Sequence, residues 1–121
     1  MTPFREKTST YIEEINNYLE SWLPDNHIPP KNLHQAMNYS VMNGGKRIRP
    51  LLTFAAAESL NIDHKMLTPA AASIELLHSF SLVHDDLPCM DDDDLRRGRP
   101  STHKAFDEAT AVLAADGLLS L

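Results

Sequence analysis

This 121-residue sequence predicts an all-α fold. Three observations carry the expectation. Apolar residues recur at helical spacing in one segment after another. Prolines sit at the boundaries of those segments. No stretch sustains the apolar–polar alternation of a half-buried strand.

The elements follow in order. Thr2 is placed to cap a first helix with Pro3 at its first position. Phe4, Thr8, Tyr11, Ile12, Ile15, Tyr18, Leu19 and Trp22 then form one stripe. Pro24, Pro29 and Pro30 close that helix and open a second, with Leu33, Ala36, Met37, Ser40 and Val41 facing inward. Gly44-Gly45 stops it, as glycine does after a helix end. A third helix starts at Pro50 and covers Leu51 to Leu60, with 61–64 as a connector. Thr68-Pro69 starts a fourth, running to about Asp86. That helix is apolar nearly all round, which predicts a central, buried element, and Glu75 lies well inside it. Pro88 prevents easy continuation, and residues 87–103 read as a polar loop. Asp107 caps a last helix through Ala109, Val112 and Leu113 to Leu121. Leu118, Leu119 and Leu121 arrive with no stop signal, so the expectation is a chain cut within a helix, part of a longer all-α protein.

Composition bounds the function. The length suits one domain or part of one, with 42% apolar and 23% charged residues. Eleven Lys and Arg against 17 Asp and Glu give a net charge of −6, which argues against a general nucleic-acid binder. The single cysteine, Cys89, excludes an internal disulfide and fits a reducing compartment. It has no evident His or Asp partner of the nucleophile type. The N-terminus lacks the apolar core of a secretory signal. No run approaches 18 consecutive apolar residues, so no membrane span is expected. The expectation is a cytoplasmic protein.

Chemistry concentrates in HDDLPCMDDDD, residues 84–94. Asp85, Asp86, Asp91, Asp92, Asp93 and Asp94 crowd six carboxylates into ten residues. Like charges at about 4 Å repel by roughly 1 kcal/mol even in bulk water, and a bound cation relieves that. Hard divalent cations prefer carboxylate oxygen, and Mg²⁺ commonly combines one or two carboxylates with substrate phosphate. Asp85 and Asp86 also close an apolar helix at the end where its dipole disfavours negative charge. Broken local rules of this kind gather at functional sites. On a continuous helix Asp85 and Asp91 would lie about 600° apart around the axis and face away from each other. The break at Pro88 lets the chain fold Asp91 back toward Asp85.

Arg96, Arg97 and Arg99 follow, then His103 and Lys104. Guanidinium forks bind phosphate bidentately, so carboxylates beside arginines compose a metal-bridged phosphate-ester site. An earlier cluster, Gly44-Gly45-Lys46-Arg47-Ile48-Arg49, adds close backbone approach and three cations. His78 lies two helical turns before Asp85 on the same face. Plainer readings exist for each part. Acidic runs are often solvated loops, glycine before basic residues is a common helix end, and a helical His is often just packed. An EF-hand loop does not fit, because its alternate ligands, central glycine and terminal Glu are missing. The case rests on all the parts occurring in this order.

GGKRIRP at 44–50 and HSFSLVHDDLPCMDDDDLRRGRPSTHK at 78–104 resemble the first half of bacterial-type farnesyl diphosphate synthases, in the trans-polyprenyl diphosphate synthase family. The resemblance covers nearly the whole chain, so 1–121 reads as the N-terminal part of a single polyprenyl synthase domain. It implies an isoprenoid synthase type helical bundle around a central cavity. It also implies a prenyltransferase that joins dimethylallyl or geranyl diphosphate head-to-tail to isopentenyl diphosphate. The implied route is Mg²⁺-assisted ionisation, condensation and proton elimination.

Carried over by motif, Asp85 and Asp91 are the first metal ligands, with Asp86 in support. Arg96 would hold the allylic diphosphate, and Asp85, Asp91 and Arg96 form the catalytic set. Lys46, Arg49, His78 and Arg97 would hold isopentenyl diphosphate. Phe80 and Ser81, five and four residues before Asp85, stand where the family limits product length. An aromatic ring there resembles a floor at fifteen carbons, although Phe80 also reads as a plain core aromatic. A homodimer is the family's usual assembly. The family's second aspartate-rich motif and its later lysine and glutamine positions are not in these residues, so the resemblance implies that the 121 residues alone lack normal turnover. Three alternatives stay open: a geranylgeranyl diphosphate synthase, a catalytically silent synthase-like subunit, and a terpene cyclase. GGKRIRP speaks against the cyclase, which needs no isopentenyl diphosphate site.

Overall fold

The helix α1 spans Pro3–Trp22, α2 Lys31–Met42 and α3 Ile48–Ser59. A 3₁₀ turn at His64–Leu67 leads into α4, Thr68–Asp86. After the aspartate-rich turn come two paired strands, β1 (Leu95–Arg96) and β2 (Arg99–Pro100), then the single turn α5 (Thr102–Ala105) and α6 (Glu108–Ser120). These elements come from a computed structural model that describes residues 3–121. The cap expected at Thr2 lies outside the described residues.

The helix α4 is the hub, packing against α1, α2, α3 and α6. Small residues make that possible. Ala71 and Ala72 on α4 and Ala111, Ala114 and Ala115 on α6 are buried and let the helices approach closely. Gly117 serves the same end, since a Cβ there would stand 3.1 Å from Sδ and Cε of Met37 on α2. The main core joins Ile15, Leu19, Met37, Val41, Phe54, Leu76 and Leu118. Full burial of a side chain such as Phe54 stabilises by about 1.5–3 kcal/mol.

The sequence places the elements well and some faces poorly. The expected stop at Gly44-Gly45 is met: α2 ends at Met42, and the two glycines take φ of 93° and 106°. The expected cap at Asp107 is also met, its carboxylate accepting from the Thr110 amide at 2.7 Å. The third helix begins at Ile48 rather than at Pro50, because a first-turn amide needs no helical partner and proline is tolerated there. In α6 the buried stripe is Ala111, Ala114, Ala115 and Leu118, whereas Val112 and Leu113 face out.

Two expectations need correction, and a third observation stands beside them. The helix α4 is not buried all round: Ile74 is 42% and Leu77 51% exposed, while the polar Glu75, Ser79 and Asp86 are buried. Residues 87–103 are not simply a loop. Arg97 (φ 54°) and Gly98 (φ 77°) form a two-residue turn that pairs β1 with β2, and positive φ at both positions suits the twist of a tight hairpin. Finally, His64–Asp86 is long enough, and an 18-residue window of it apolar enough at a mean hydropathy of 1.3, to cross a membrane by length and composition alone. In this fold the same stretch supplies the centre of the helical core.

Candidate functional site: a basic pocket beside an aspartate turn

Two clusters meet along α4. The first is the loop between α2 and α3. Gly45 has φ of 106°, a conformation costly for any side-chain-bearing residue. Its missing side chain also makes room. A Cβ on Gly45 would lie 2.9 Å from Cζ, 3.0 Å from Nη2 and 3.2 Å from Nε of Arg97. The Arg97 guanidinium thus rests on the glycine backbone and joins the GGKRIRP motif to the RRG motif at 96–98. Together with Lys46, Arg49, Glu75 and His78 they line an open pocket of about 510 Å³. Arg49 Nη1 and His78 Nε2 are 3.4 Å apart. Because the guanidinium only donates, that nitrogen must accept. Burial first, then the charge of Arg49, hold the His78 pKa below its ordinary value, with Arg97 and Arg96 acting the same way and Glu75 opposing them. Burial, then the Arg47 charge, likewise push the Arg97 pKa down. A pocket that penalises its own cations is one in which an anion is welcome.

Arg47 differs from its neighbours. Lys46 and Arg49 are exposed, but Arg47 is buried. Its Nη1 donates to Glu75 Oε2 at 2.7 Å, Nη2 to the Val41 carbonyl at 2.7 Å and Nε to Asn16 Oδ1 at 2.8 Å. Counting three surface cations in this loop therefore overcounts by one. The available signal was Glu75, a carboxylate within an apolar helix, which requires a buried cation.

The second cluster is the turn after α4. The Asp91 amide donates to the Asp85 carbonyl at 2.8 Å, the Asp92 amide to the Leu87 carbonyl at 3.0 Å and the Asp93 amide to the Asp86 carbonyl at 3.0 Å. The turn thereby satisfies carbonyls that the helix end would leave unpaired. It also folds Asp91 back to Asp85, as the break at Pro88 suggests. Asp86 is turned elsewhere. Its Oδ1 accepts from Arg96 Nη2 at 2.6 Å and its Oδ2 from Arg96 Nε at 3.1 Å. This bond raises the Arg96 pKa. Both Asp86 oxygens are thus engaged by a guanidinium, while Asp85 and Asp91 are joined through their backbones at the helix end.

A third group went unanticipated. Asp92, Asp94 and His103 bring one ligand-type atom each to within 4.8 Å of one another. His103 is buried, and its Nε2 has no hydrogen-bond partner among the described residues. The hairpin that carries Arg96 and Arg97 is latched to α2 by Tyr39 Oη, which donates to the Pro100 carbonyl at 2.6 Å, and by the Ser40–Thr102 hydroxyl pair at 2.9 Å.

Phe80 lies half-buried against both core clusters, its ring 4.4 Å from that of His84. His84 Nε2 in turn stands 3.7 Å from Asp116 on α6. Ser81 Oγ donates to the His78 carbonyl at 2.7 Å, so its hydroxyl is turned onto its own helix.

The structure is thus an all-α bundle that carries a basic pocket and a folded aspartate turn along one helix. Residues 30–121 match the polyprenyl synthetase family, and the chain belongs to that family. Among curated relatives it is 50% identical over 111 residues to the heterodimeric geranylgeranyl pyrophosphate synthase large subunit 1 of Arabidopsis thaliana, covering 92% of this chain and 29% of that one. It is 47% identical to the farnesyl diphosphate synthase of Haemophilus influenzae, covering 99% of this chain and 41% of that one. Among solved structures, the geranyltransferase of Legionella pneumophila superposes with a TM-score of 0.89 at 46% identity, over 96% of this chain and 41% of that one. The chain therefore spans well under half the length of the relatives it matches.

Proposed function

We propose that residues 1–121 form the N-terminal part of a single polyprenyl synthase domain. On this reading they supply one wall of a head-to-tail prenyltransferase site, joining an allylic diphosphate (dimethylallyl or geranyl) to isopentenyl diphosphate. The observation that carries the reading is the adjacency of two unlike anion sites along α4. The pocket of Lys46, Arg49, His78 and Arg97 holds more cations than anions, with Glu75 tied up by Arg47, which suits the diphosphate of isopentenyl diphosphate. The turn of Asp85 and Asp91 offers carboxylates beside Arg96, which suits a diphosphate bridged by metal.

The donor set fits Mg²⁺. Two carboxylates at one helix end, open to solvent on the Asp91 side, match a cation that prefers oxygen and keeps places for water and phosphate. When bound, Mg²⁺ supplies Lewis-acid neutralisation of the leaving diphosphate. The chain's own residues do the rest. Arg96, pre-aimed by Asp86, would meet charge developing on the allylic diphosphate. The basic pocket would hold isopentenyl diphosphate with its double bond toward the ionising carbon, which is the gain of orientation.

Phe80 supports farnesyl diphosphate as the product, because a ring wedged between two core clusters suits a floor for the growing chain. A geranylgeranyl product is the second reading, favoured by the names of several relatives. We place the enzyme in the cytoplasm and assembled as a homodimer, and we read the 121 residues alone as incapable of normal turnover. The test is condensation of labelled isopentenyl diphosphate with geranyl diphosphate by the complete natural polypeptide carrying this sequence. The expected outcome is Mg²⁺-dependent farnesyl diphosphate formation that Asp85→Asn abolishes. Near-normal rates in that variant would refute the assignment.

A further inference from the structure

Arg47 sits between the two exposed cations of the phosphate loop, yet points the other way. Its residue lies in the left-handed region, with φ of 54°, which lets the chain drive its side chain inward while Lys46 and Arg49 stay outside. The guanidinium reaches three helices at once: Asn16 on α1, the Val41 carbonyl in the last turn of α2, and Glu75 on α4. The Val41 contact occupies a carbonyl that the end of α2 would leave unpaired. Arg47 and Glu75 are both about 3% exposed at their side chains.

A buried ion pair is poor evidence for stability, since an apolar pair of similar volume commonly replaces it at no loss. Its retention calls for another account, and position supplies one. Lys46 and Arg49 have long flexible stems, so only their backbone can be fixed in advance, and Arg47 is the residue that fixes it. Glu75 lies three residues before His78, hence on the same face of α4. The ion pair therefore sets the distance between the loop cations and the His78 ring. Glu75 is also the anion that offsets the pocket's cations, acting on both His78 and Arg97.

We propose that the buried Arg47–Glu75 ion pair, at the inner wall of the pocket, is the positioning element of the diphosphate grip formed by Lys46, Arg49, His78 and Arg97. The claim rests on the reading of that pocket as the isopentenyl diphosphate site. It separates Arg47 from the cations beside it, and it predicts damage to one substrate but not the other, because the allylic diphosphate is assigned to the aspartate turn.

The experiment uses the complete natural polypeptide with two variants: Arg47→Met/Glu75→Leu, which replaces the pair by apolar side chains, and Arg47→Lys, which keeps the charge but not the three-way fork. Circular dichroism establishes folding. Hydrogen exchange of the amides of residues 45–49 is then read without substrate, and binding of isopentenyl diphosphate and of geranyl diphosphate is read by calorimetry. In the double variant, amide exchange in the loop should rise and isopentenyl diphosphate should bind about tenfold more weakly, the scale of one lost bond to a charged group. Geranyl diphosphate binding should hold within about twofold. Arg47→Lys should shift the same two readouts in the same direction, and it decides the matter if the double variant does not fold. Unchanged loop exchange, or equal weakening of both diphosphates, would overturn the proposal. Failure of the unmodified protein to bind isopentenyl diphosphate would instead sink the reading of the pocket, while loop exchange in the variants would still decide the positioning role.

Discussion

Substituting Gly45 by alanine tests the join between the two motifs. The methyl group meets two obstacles. At φ of 106° the backbone is in a region that residues with a Cβ rarely adopt, at a cost on the order of 1–3 kcal/mol. The Cβ also stands 2.9 Å from Arg97 Cζ and 3.0 Å from Nη2, closer than such contacts permit. Arg97 is the movable partner, since the clash falls on the far end of a flexible side chain. It should swing off the loop and leave the pocket. The fold then bears the backbone strain, and the site loses one charge-assisted bond to diphosphate, about 1.5–3 kcal/mol. That corresponds to binding weaker by roughly 10- to 150-fold. Urea denaturation reads the first effect and calorimetric binding of isopentenyl diphosphate the second. A double-mutant cycle with Arg97→Ala separates them. With Arg97 gone, Gly45→Ala should still destabilise but should weaken binding little further. If the two substitutions weaken binding independently, or if Gly45→Ala binds normally, Arg97 does not act through its seat on Gly45.

Further outcomes follow from the same geometry. The His78 pKa is held down by burial and by Arg49, so the stability it contributes is present above its ordinary value of about 6.5 and lost as pH falls through the lowered folded value. A bound diphosphate favours the charged ring, so binding should take up a proton near neutral pH. Calorimetry in buffers of differing ionisation enthalpy should show this in the unmodified protein and not in His78→Gln, and equal uptake in both would remove His78 from the pocket. Asp86→Asn breaks the fork to Arg96 and should cost roughly 1–3 kcal/mol in urea denaturation; a loss under about 0.5 kcal/mol, the range of ordinary surface substitutions, would mean that the fork is not formed in solution. Phe80→Ala should yield products longer than fifteen carbons by chromatography, and unchanged product length would return Phe80 to the role of a core aromatic.

Much of this fold was legible because its boundaries carry local chemistry. The ends at Gly44 and Pro88 and the cap at Asp107 are decided by φ, by a missing amide and by one carboxylate, all visible in the sequence. Direction was harder. Nothing in the composition of GGKRIRP separates Arg47 from Lys46 and Arg49, because the left-handed backbone that turns it inward is set by contacts with three other helices. The hairpin at 95–100 has strands too short to show alternation, and only the Arg97-Gly98 turn hinted at it. His103 was counted as one more basic residue near phosphate. Its burial beside Asp92 and Asp94 depends on the chain reversing through that hairpin. The inward face of α6 was not legible, because alanine, rather than the larger Val112 and Leu113, is what fits against α4.

The most direct measurement of the central claim is a crystal structure of the complete polypeptide with Mg²⁺, isopentenyl diphosphate and a non-ionising analogue of the allylic substrate. The account predicts one diphosphate against Lys46, Arg49, His78 and Arg97, and the other bridged by metal to Asp85 and Asp91 beside Arg96. Both diphosphates on the aspartate turn, or a basic pocket left empty at saturating isopentenyl diphosphate, would contradict it.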